Sequence, residues 1–297
     1  MAAAAVAVAV AVTYGIYAVH PWQQYTPLNQ FLAIFGRANA SAWPMQIVWY
    51  LAAVVMVGLA LWPVRRSSQL ICGLAGAYFA WIGIAYFAWL SPGMSLSGVW
   101  ATLFTLQAVL LVVAGIVRKD LVIRPRRDLA SGLGAALIAY ALVGYPLIGV
   151  LGGHALRLYP VFGLSPCATV AFFFGLLLWA VPPAPKYLLL VPLAWALTAA
   201  PPDLAGGVAA DYGMLVMAVI TTGLIIWRDR ASGPAWQTVT AGLLLALLIA
   251  WSGHDTVQIG AAAVLVIATL AQAITGHPRP PHAGPVPPAQ PRQLKTG

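Results

Sequence analysis

The sequence predicts an all-α integral membrane protein, a polytopic bundle of nine or ten transmembrane helices. Three observations predict it. Hydrophobic residues make up 62% of the chain and charged residues only 7%, where a soluble domain carries roughly a quarter charged residues. The apolar residues fall in runs long enough to cross a bilayer core, which takes about 20 helical residues. The positive charges are also sorted. With the loops between runs numbered alternately, Arg65, Arg66, Arg118, Lys119, Arg124, Arg126, Arg127, Lys186, Arg228, Arg230, Arg279, Arg292 and Lys295 share one side, and only Arg37 and Arg157 fall on the other. Short loops rich in Lys and Arg stay cytoplasmic. The chain is therefore expected in a cytoplasmic membrane, with both termini inside and the first ten of those residues as topology anchors.

Ten candidate spans follow in order: 2–19, 42–62, 69–90, 97–117, 129–150, 164–181, 186–203, 208–227, 236–252 and 257–275. The first belongs to an N-terminal apolar extension, residues 1–25. It lacks the basic start of a signal peptide, and its composition fits a spanning helix, an interfacial helix or a misplaced start alike. Ahead of the second span, Leu28, Phe31, Leu32 and Phe35 recur at helical spacing. Asn39 or Ser41 then suits a helix cap, with Pro44 in the first turn. In the sixth, Ser165 reads as the N-cap and Pro166 as the first helical residue. The seventh contains Pro192 in a run of 14 apolar residues from Tyr187 to Ala200. That run reaches about 21 Å against a core of roughly 30 Å. A re-entrant segment is the alternative, but it would turn Arg228, Arg230 and the tail outward, so a full span is expected. Trp62, Trp89, Trp100, Trp179, Trp227 and Trp251 lie near span ends, as interfacial aromatics do. Two further spans occupy residues 229–275, and the Pro-rich residues 276–297 read as a disordered cytoplasmic tail.

Charge and composition narrow the function. The net charge of +9 sits in short loops beside apolar runs, where it orients the chain and contacts anionic lipid rather than nucleic acid. The expected partners are the lipid bilayer and either a second membrane protein or further copies of this chain. There is no Glu, and none of the six Asp lies in the middle of an apolar run. Proton and cation relays place ionisable groups there, so an ion-coupled pump is disfavoured, although neutral oxygens also hold ions. Cys72 and Cys167 fall at opposite faces, too far apart for a disulfide.

The unusual chemistry collects in the loops opposite the basic ones. Asn39-Ala-Ser-Ala-Trp43-Pro44-Met-Gln46 enters the second span. Tyr145-Pro146 through Gly152-Gly153-His154 closes the fifth, and Pro146 frees a backbone carbonyl there. Phe162-Gly163 through Pro166-Cys167-Ala-Thr169 opens the sixth, and Asp211-Tyr212-Gly213 opens the eighth. In combination these motifs resemble the bacterial membrane family catalogued as domain of unknown function 6064, over about residues 26–228. The resemblance implies a seven-span membrane core and transfers no catalytic residue.

Asn39, Trp43, Tyr145, His154, Cys167, Thr169 and Asp211 are thus the candidates for an outward-facing vestibule. Cys167, His154 and Asp211 carry the donor types that hold zinc, and a thiolate with Met45 or Met94 suits a softer ion. A metal ion is the one cofactor the residues suggest. No C-x-x-C or H-x-x-x-H spacing accompanies them, so separate packing and capping roles compete with that reading. Asp203, Asp211, His254 and Asp255 form a second candidate set, a cation-attracting mouth. Ser165 or Cys167 with His154 is the one nucleophile–base pairing on that face, without a Gly-x-Ser-x-Gly turn. Thr102, Thr105, Gln107, Thr221 and Thr222 are polar groups at membrane depth, where hydroxyls usually bond back to their own helix. Three functions remain open: a transporter or channel for a small solute, a non-catalytic subunit packed on a partner, and a membrane enzyme at the same face.

Overall fold

The computed structural model describes residues 28–90, 97–205 and 208–229. The extension 1–25, the spans at 236–252 and 257–275, the tail 276–297, Met94, Arg230, Trp251, His254 and Asp255 lie outside the described residues.

The described chain forms seven helices: α1 (Leu28–Leu61), α2 (Ser67–Leu90), α3 (Ser97–Val117), α4 (Leu129–Leu151), α5 (Pro166–Leu178), α6 (Leu190–Ala205) and α7 (Ala210–Arg228). Five of them are long and apolar enough to cross a membrane: α1 from Phe35, α2, α3, α4 and α7. The described chain is thus all-helical, with the five long apolar helices of a multipass membrane protein. The expected sixth and seventh spans are shorter than the others. α5 has 13 residues, about 20 Å of helix. α6 is preceded by a 3₁₀ turn, Lys186–Leu189, which places Pro192 in its first α-helical turn. Proline is tolerated there because the first N–H groups have no intrahelical acceptor.

The hydrogen bonds between connecting segments group most of them into two ends. Arg65, Arg66, Arg118, Lys119, Arg124, Arg126, Arg127, Lys186 and Arg228 all lie at one end, and Arg37 and Arg157 at the other. Contacts confirm that the basic segments meet. Ile123 N–H donates to Ser68 Oγ (3.1 Å), Val181 N–H to the Val122 carbonyl (2.8 Å), and Arg228 Nη1 to the Ala180 carbonyl (3.1 Å). The segment 118–128 is therefore packed rather than loose: Leu121 and Ile123 are buried, and Arg118–Asp120 and Arg126–Asp128 pair within it. Asp128 caps α4 by accepting from Ser131 N–H (2.8 Å). That bond and the Arg126 guanidinium hold its carboxyl at about 2, below the ordinary 3.8.

α5 is the centre of the bundle. Every residue from Pro166 to Leu178 is buried, and the helix packs against α4, α7, α6 and α2. The α4–α5 contact is backbone to backbone: a Cβ on Gly175 would lie 2.7 Å from the Gly134 carbonyl oxygen, and one on Gly134 2.8 Å from that of Gly175. Membrane helices associate through such small-residue contacts because lipid supplies no hydrophobic drive between them. α1 is the periphery, packed on α2 and on the turn Leu156–Leu158. Only 22% of its apolar window is buried. Trp62, Trp89 and Trp227 are exposed at helix ends, as expected of interfacial aromatics. Trp100 and Trp179 are not: both are buried, Trp179 donating to the Ser131 carbonyl (2.9 Å) and Trp100 stacking edge-on against Trp195.

Candidate functional site

The end opposite the basic loops is built by α1, the α4 terminus, the segment 152–165 and the start of α7. α1 kinks at Ala42 (φ −126°, ψ 17°), two residues before Pro44. Two helical stretches meet at this break, so Pro44 lies in the first turn of the second, as expected, but the break falls at Ala42 rather than at Asn39 or Ser41. Asn39 is buried and reaches across instead. Its Nδ2 donates to the Arg157 carbonyl (2.9 Å) and the Tyr159 carbonyl (3.0 Å), and its Oδ1 accepts from Gln46 Nε2 (3.2 Å). One amide thus clamps the 152–161 segment onto α1.

A second clamp answers a question posed by Pro146. Proline has no N–H for the carbonyl four residues earlier, which is that of Leu142. Backbone geometry around it is widened: Tyr140–Gly144 is π-helical, and Tyr145 N–H bonds to the Tyr140 carbonyl. The Tyr50 hydroxyl of α1 donates to the Leu142 carbonyl at 3.1 Å. A side chain from another helix therefore fills the acceptor that the proline leaves free.

Behind these clamps lies a buried polar cluster. The Tyr145 hydroxyl donates to Asp211 Oδ1 at 2.5 Å, and both residues are fully buried. That length is at the short end for a hydroxyl on a carboxylate. Tyr140 donates its hydroxyl to the Ala210 carbonyl. Tyr145 packs on Tyr159, and Tyr159 stacks on the half-buried His154 (centroids 5.7 Å, 15° between planes). Asp211, Cys167 and Tyr159 are all electrostatic neighbours of the Tyr140 hydroxyl.

Of the expected vestibule residues, the structure joins Asn39, Tyr145, His154 and Asp211 through Tyr159. Trp43 stands outside the cluster, 58% exposed on α1. Cys167 and Thr169 are buried in the first turns of α5. Ser165 does cap α5 by position, but its hydroxyl makes no bond to the helix. Thr169 Oγ1 bonds back to the Ser165 carbonyl (2.7 Å). Among the described residues, no three His, Cys, Asp or Glu side chains gather as metal ligands. Neither cysteine forms a disulfide, and both are buried. Thr102 and Thr105 bond back to their own helix, and Gln107 Nε2 donates to the Leu188 carbonyl (3.1 Å). Thr221 and Thr222 are buried with hydroxyls that find no acceptor.

Between α1 and the clamped segment lies a cleft of about 640 Å³, and of the expected vestibule residues Asn39 and Trp43 line it. Its α1 wall is the stripe Gly36, Asn39, Ala40, Trp43, Gln46 and Tyr50; Pro146, Arg157, Leu158 and Val161 face it. The spacing of that stripe was readable as one helical face. Its opposing wall was not.

Residues 28–235 match the family of unknown function DUF6064. The chain belongs to that family. No curated protein and no solved structure matches it significantly. The family has no assigned activity in its description, so the site carries the functional argument alone.

Proposed function

We propose that this DUF6064 protein is a transporter or channel-like protein for a small solute, and that the 640 Å³ cleft beside Trp43 and Arg157 is where the solute binds. The cleft carries the reading: its size lies within the roughly 300–1,000 Å³ of ligand sites. Two features support it. The helix flanking the cleft widens into a π-helical turn at Tyr140–Gly144, just before Pro146, a distortion found frequently at functional sites. A carboxyl group, Asp211, is buried against Tyr145, the chain neighbour of the lining residue Pro146, and buried ionisable residues in a membrane mark functional positions. The basic end faces the cytoplasm by the charge rule. The cleft then opens on the outer side of a bacterial cytoplasmic membrane, and both termini are inside.

A substitution that fills the cleft without touching the core tests this. Ala40 lines the cleft and is exposed, so Ala40→Trp occupies it. Thermal unfolding of wild type and Ala40→Trp is compared against glycerol, urea, short-chain carboxylates and phosphatidylglycerol. A ligand at 100 times its Kd stabilises by about 2.7 kcal/mol. At least one compound raises the wild-type midpoint and leaves Ala40→Trp unmoved, and that compound then crosses proteoliposomes faster with wild type. If every compound shifts both proteins equally, the cleft is not a site.

A second reading, a non-catalytic subunit, is favoured by α1 alone. Trp43, Ile47, Leu51, Val54 and Val55 are exposed along it. Cross-linking from α1 to another protein would support that reading.

A further inference from the structure

We infer that the cleft holds an anionic phospholipid of the surrounding leaflet, with its phosphate on Arg157 and one acyl chain laid down α1. The inference rests on the cleft being a binding site, as proposed above, and adds what binds. Arg157 is exposed at the cleft wall, and its backbone is fixed there by Asn39. Among the described residues no ion pair engages Arg157. Its planar fork matches two phosphate oxygens. The next donor along the wall is Gln46 Nε2, which spends one hydrogen on Asn39 and has another to give.

Below this polar head the wall becomes apolar and continues. A second hollow of about 330 Å³, lined by Gln46, Ile47, Tyr50, Leu51 and Val54, shares Gln46 and Tyr50 with the first. The two run together along one side of α1. Trp43, exposed at the top, has the character of an interfacial aromatic. From Trp43 to Val54 the helix descends about 16 Å at 1.5 Å per residue. That is half of a hydrocarbon core of roughly 30 Å, the depth of one leaflet. A soluble anion would use Arg157 and leave the lower hollow empty. An apolar solute would use the hollow and leave Arg157 unanswered. A phospholipid answers both. The net charge matters because Arg37 adds a second cation at this end, with no ion pair among the described residues.

The test is native mass spectrometry of the full-length protein released from bilayers of equal phosphatidylglycerol and phosphatidylcholine. Wild type, Arg157→Gln, Arg37→Gln and Ala40→Trp are compared, each first shown to be folded by its helical circular dichroism. Wild type retains one phosphatidylglycerol in preference to phosphatidylcholine. Arg157→Gln lowers that retention about tenfold, Ala40→Trp abolishes it, and Arg37→Gln keeps most of it because Arg37 does not line the cleft. Equal loss in Arg37→Gln and Arg157→Gln would mean general attraction to a basic surface and overturn the inference. So would retention that Arg157→Gln leaves unchanged, or no retained lipid at all, the result if another part of the chain fills the groove. If Ala40→Trp blocks a non-lipid compound in the thermal screen while lipid retention ignores Arg157, the cleft stands as a site and only the lipid assignment falls.

Discussion

The Tyr145–Asp211 bond predicts a coupling energy larger than is usual inside membranes. Both partners are fully buried, and the hydroxyl lies 2.5 Å from the carboxylate oxygen. A hydrogen bond to a charged group contributes roughly 1.5–3 kcal/mol. Tyr145→Phe keeps the ring and its contacts with Tyr140 and Tyr159, so little packing is lost and the change isolates the hydroxyl. About 2 kcal/mol of stability should go. Asp211→Asn costs at least as much, because Asp211 makes further contacts. The double variant should then be only slightly worse than Asp211→Asn, a coupling of about 1.5–2 kcal/mol. Interhelical hydrogen bonds measured this way in a membrane protein average about 0.6 kcal/mol and reach about 1.7. Equilibrium unfolding by a denaturing detergent, followed by far-ultraviolet circular dichroism, reads all four states of the cycle. A coupling at or below about 0.6 kcal/mol would refute the argument that this buried carboxylate depends on Tyr145.

Tyr50→Phe strips the Leu142 carbonyl of its donor and should cost about 1 kcal/mol in the same unfolding assay. Combined with Pro146→Ala, which restores an N–H one helical turn on, the penalty of Tyr50→Phe should shrink; an unchanged penalty would mean the bond is incidental. Asp128→Ala removes the α4 cap and should cost roughly 0.5–1 kcal/mol, the low end for an exposed, screened cap. Because the folded carboxyl lies below its ordinary 3.8 at about 2, its contribution is complete above pH 4 and disappears as pH falls through 2. Unfolding midpoints of wild type and Asp128→Asn should therefore converge only in that acid window. Gly175→Val drives its side chain into the Gly134 carbonyl and should prevent α4 from docking on α5, read as loss of the folded monomer by size exclusion. With both native thiols buried, a cysteine at His154 should react with an impermeant maleimide on intact cells and one at Arg127 should not; the reverse pattern would invert the orientation.

Hydropathy and charge made the long spans legible, because a run such as 97–117 carries no charge over its whole length. The Ser165-Pro166 start of α5 was legible for a local reason: its signals are adjacent residues. What failed was anything decided by neighbours in space. Inside a bilayer the lipid-facing and protein-facing sides of a helix are equally apolar, so nothing in Pro166–Leu178 announces that α5 is the buried centre. Trp100 and Trp179 share the span-end position of Trp89 yet turn inward, because Trp179 finds the Ser131 carbonyl and Trp100 finds Trp195. Pro146 announced a free carbonyl, but its donor lies 92 residues away in sequence. Asn39 was expected to act on its own helix and instead bonds residues 118 and 120 positions distant.

These long-range bonds explain why a cleft exists at this end. At the basic end, backbone pairing of Val122 with Val181 and of Arg124 with Trp179 ties neighbouring segments directly. At the opposite end α1 is held by side chains that bridge: Asn39 above and Tyr50 below. A side-chain tether holds its helix a few ångströms off, where a backbone contact such as Gly134–Gly175 brings two helices together. Between the two tethers the α1 wall carries a glycine and an alanine, Gly36 and Ala40, which leave the space unfilled. The cleft is thus a consequence of polar residues placed one helical face apart on an otherwise lipid-facing helix. Asn39 also fixes the Arg157 backbone at its mouth, so one amide sets both the upper end of the cleft and the place of the charge in its lining.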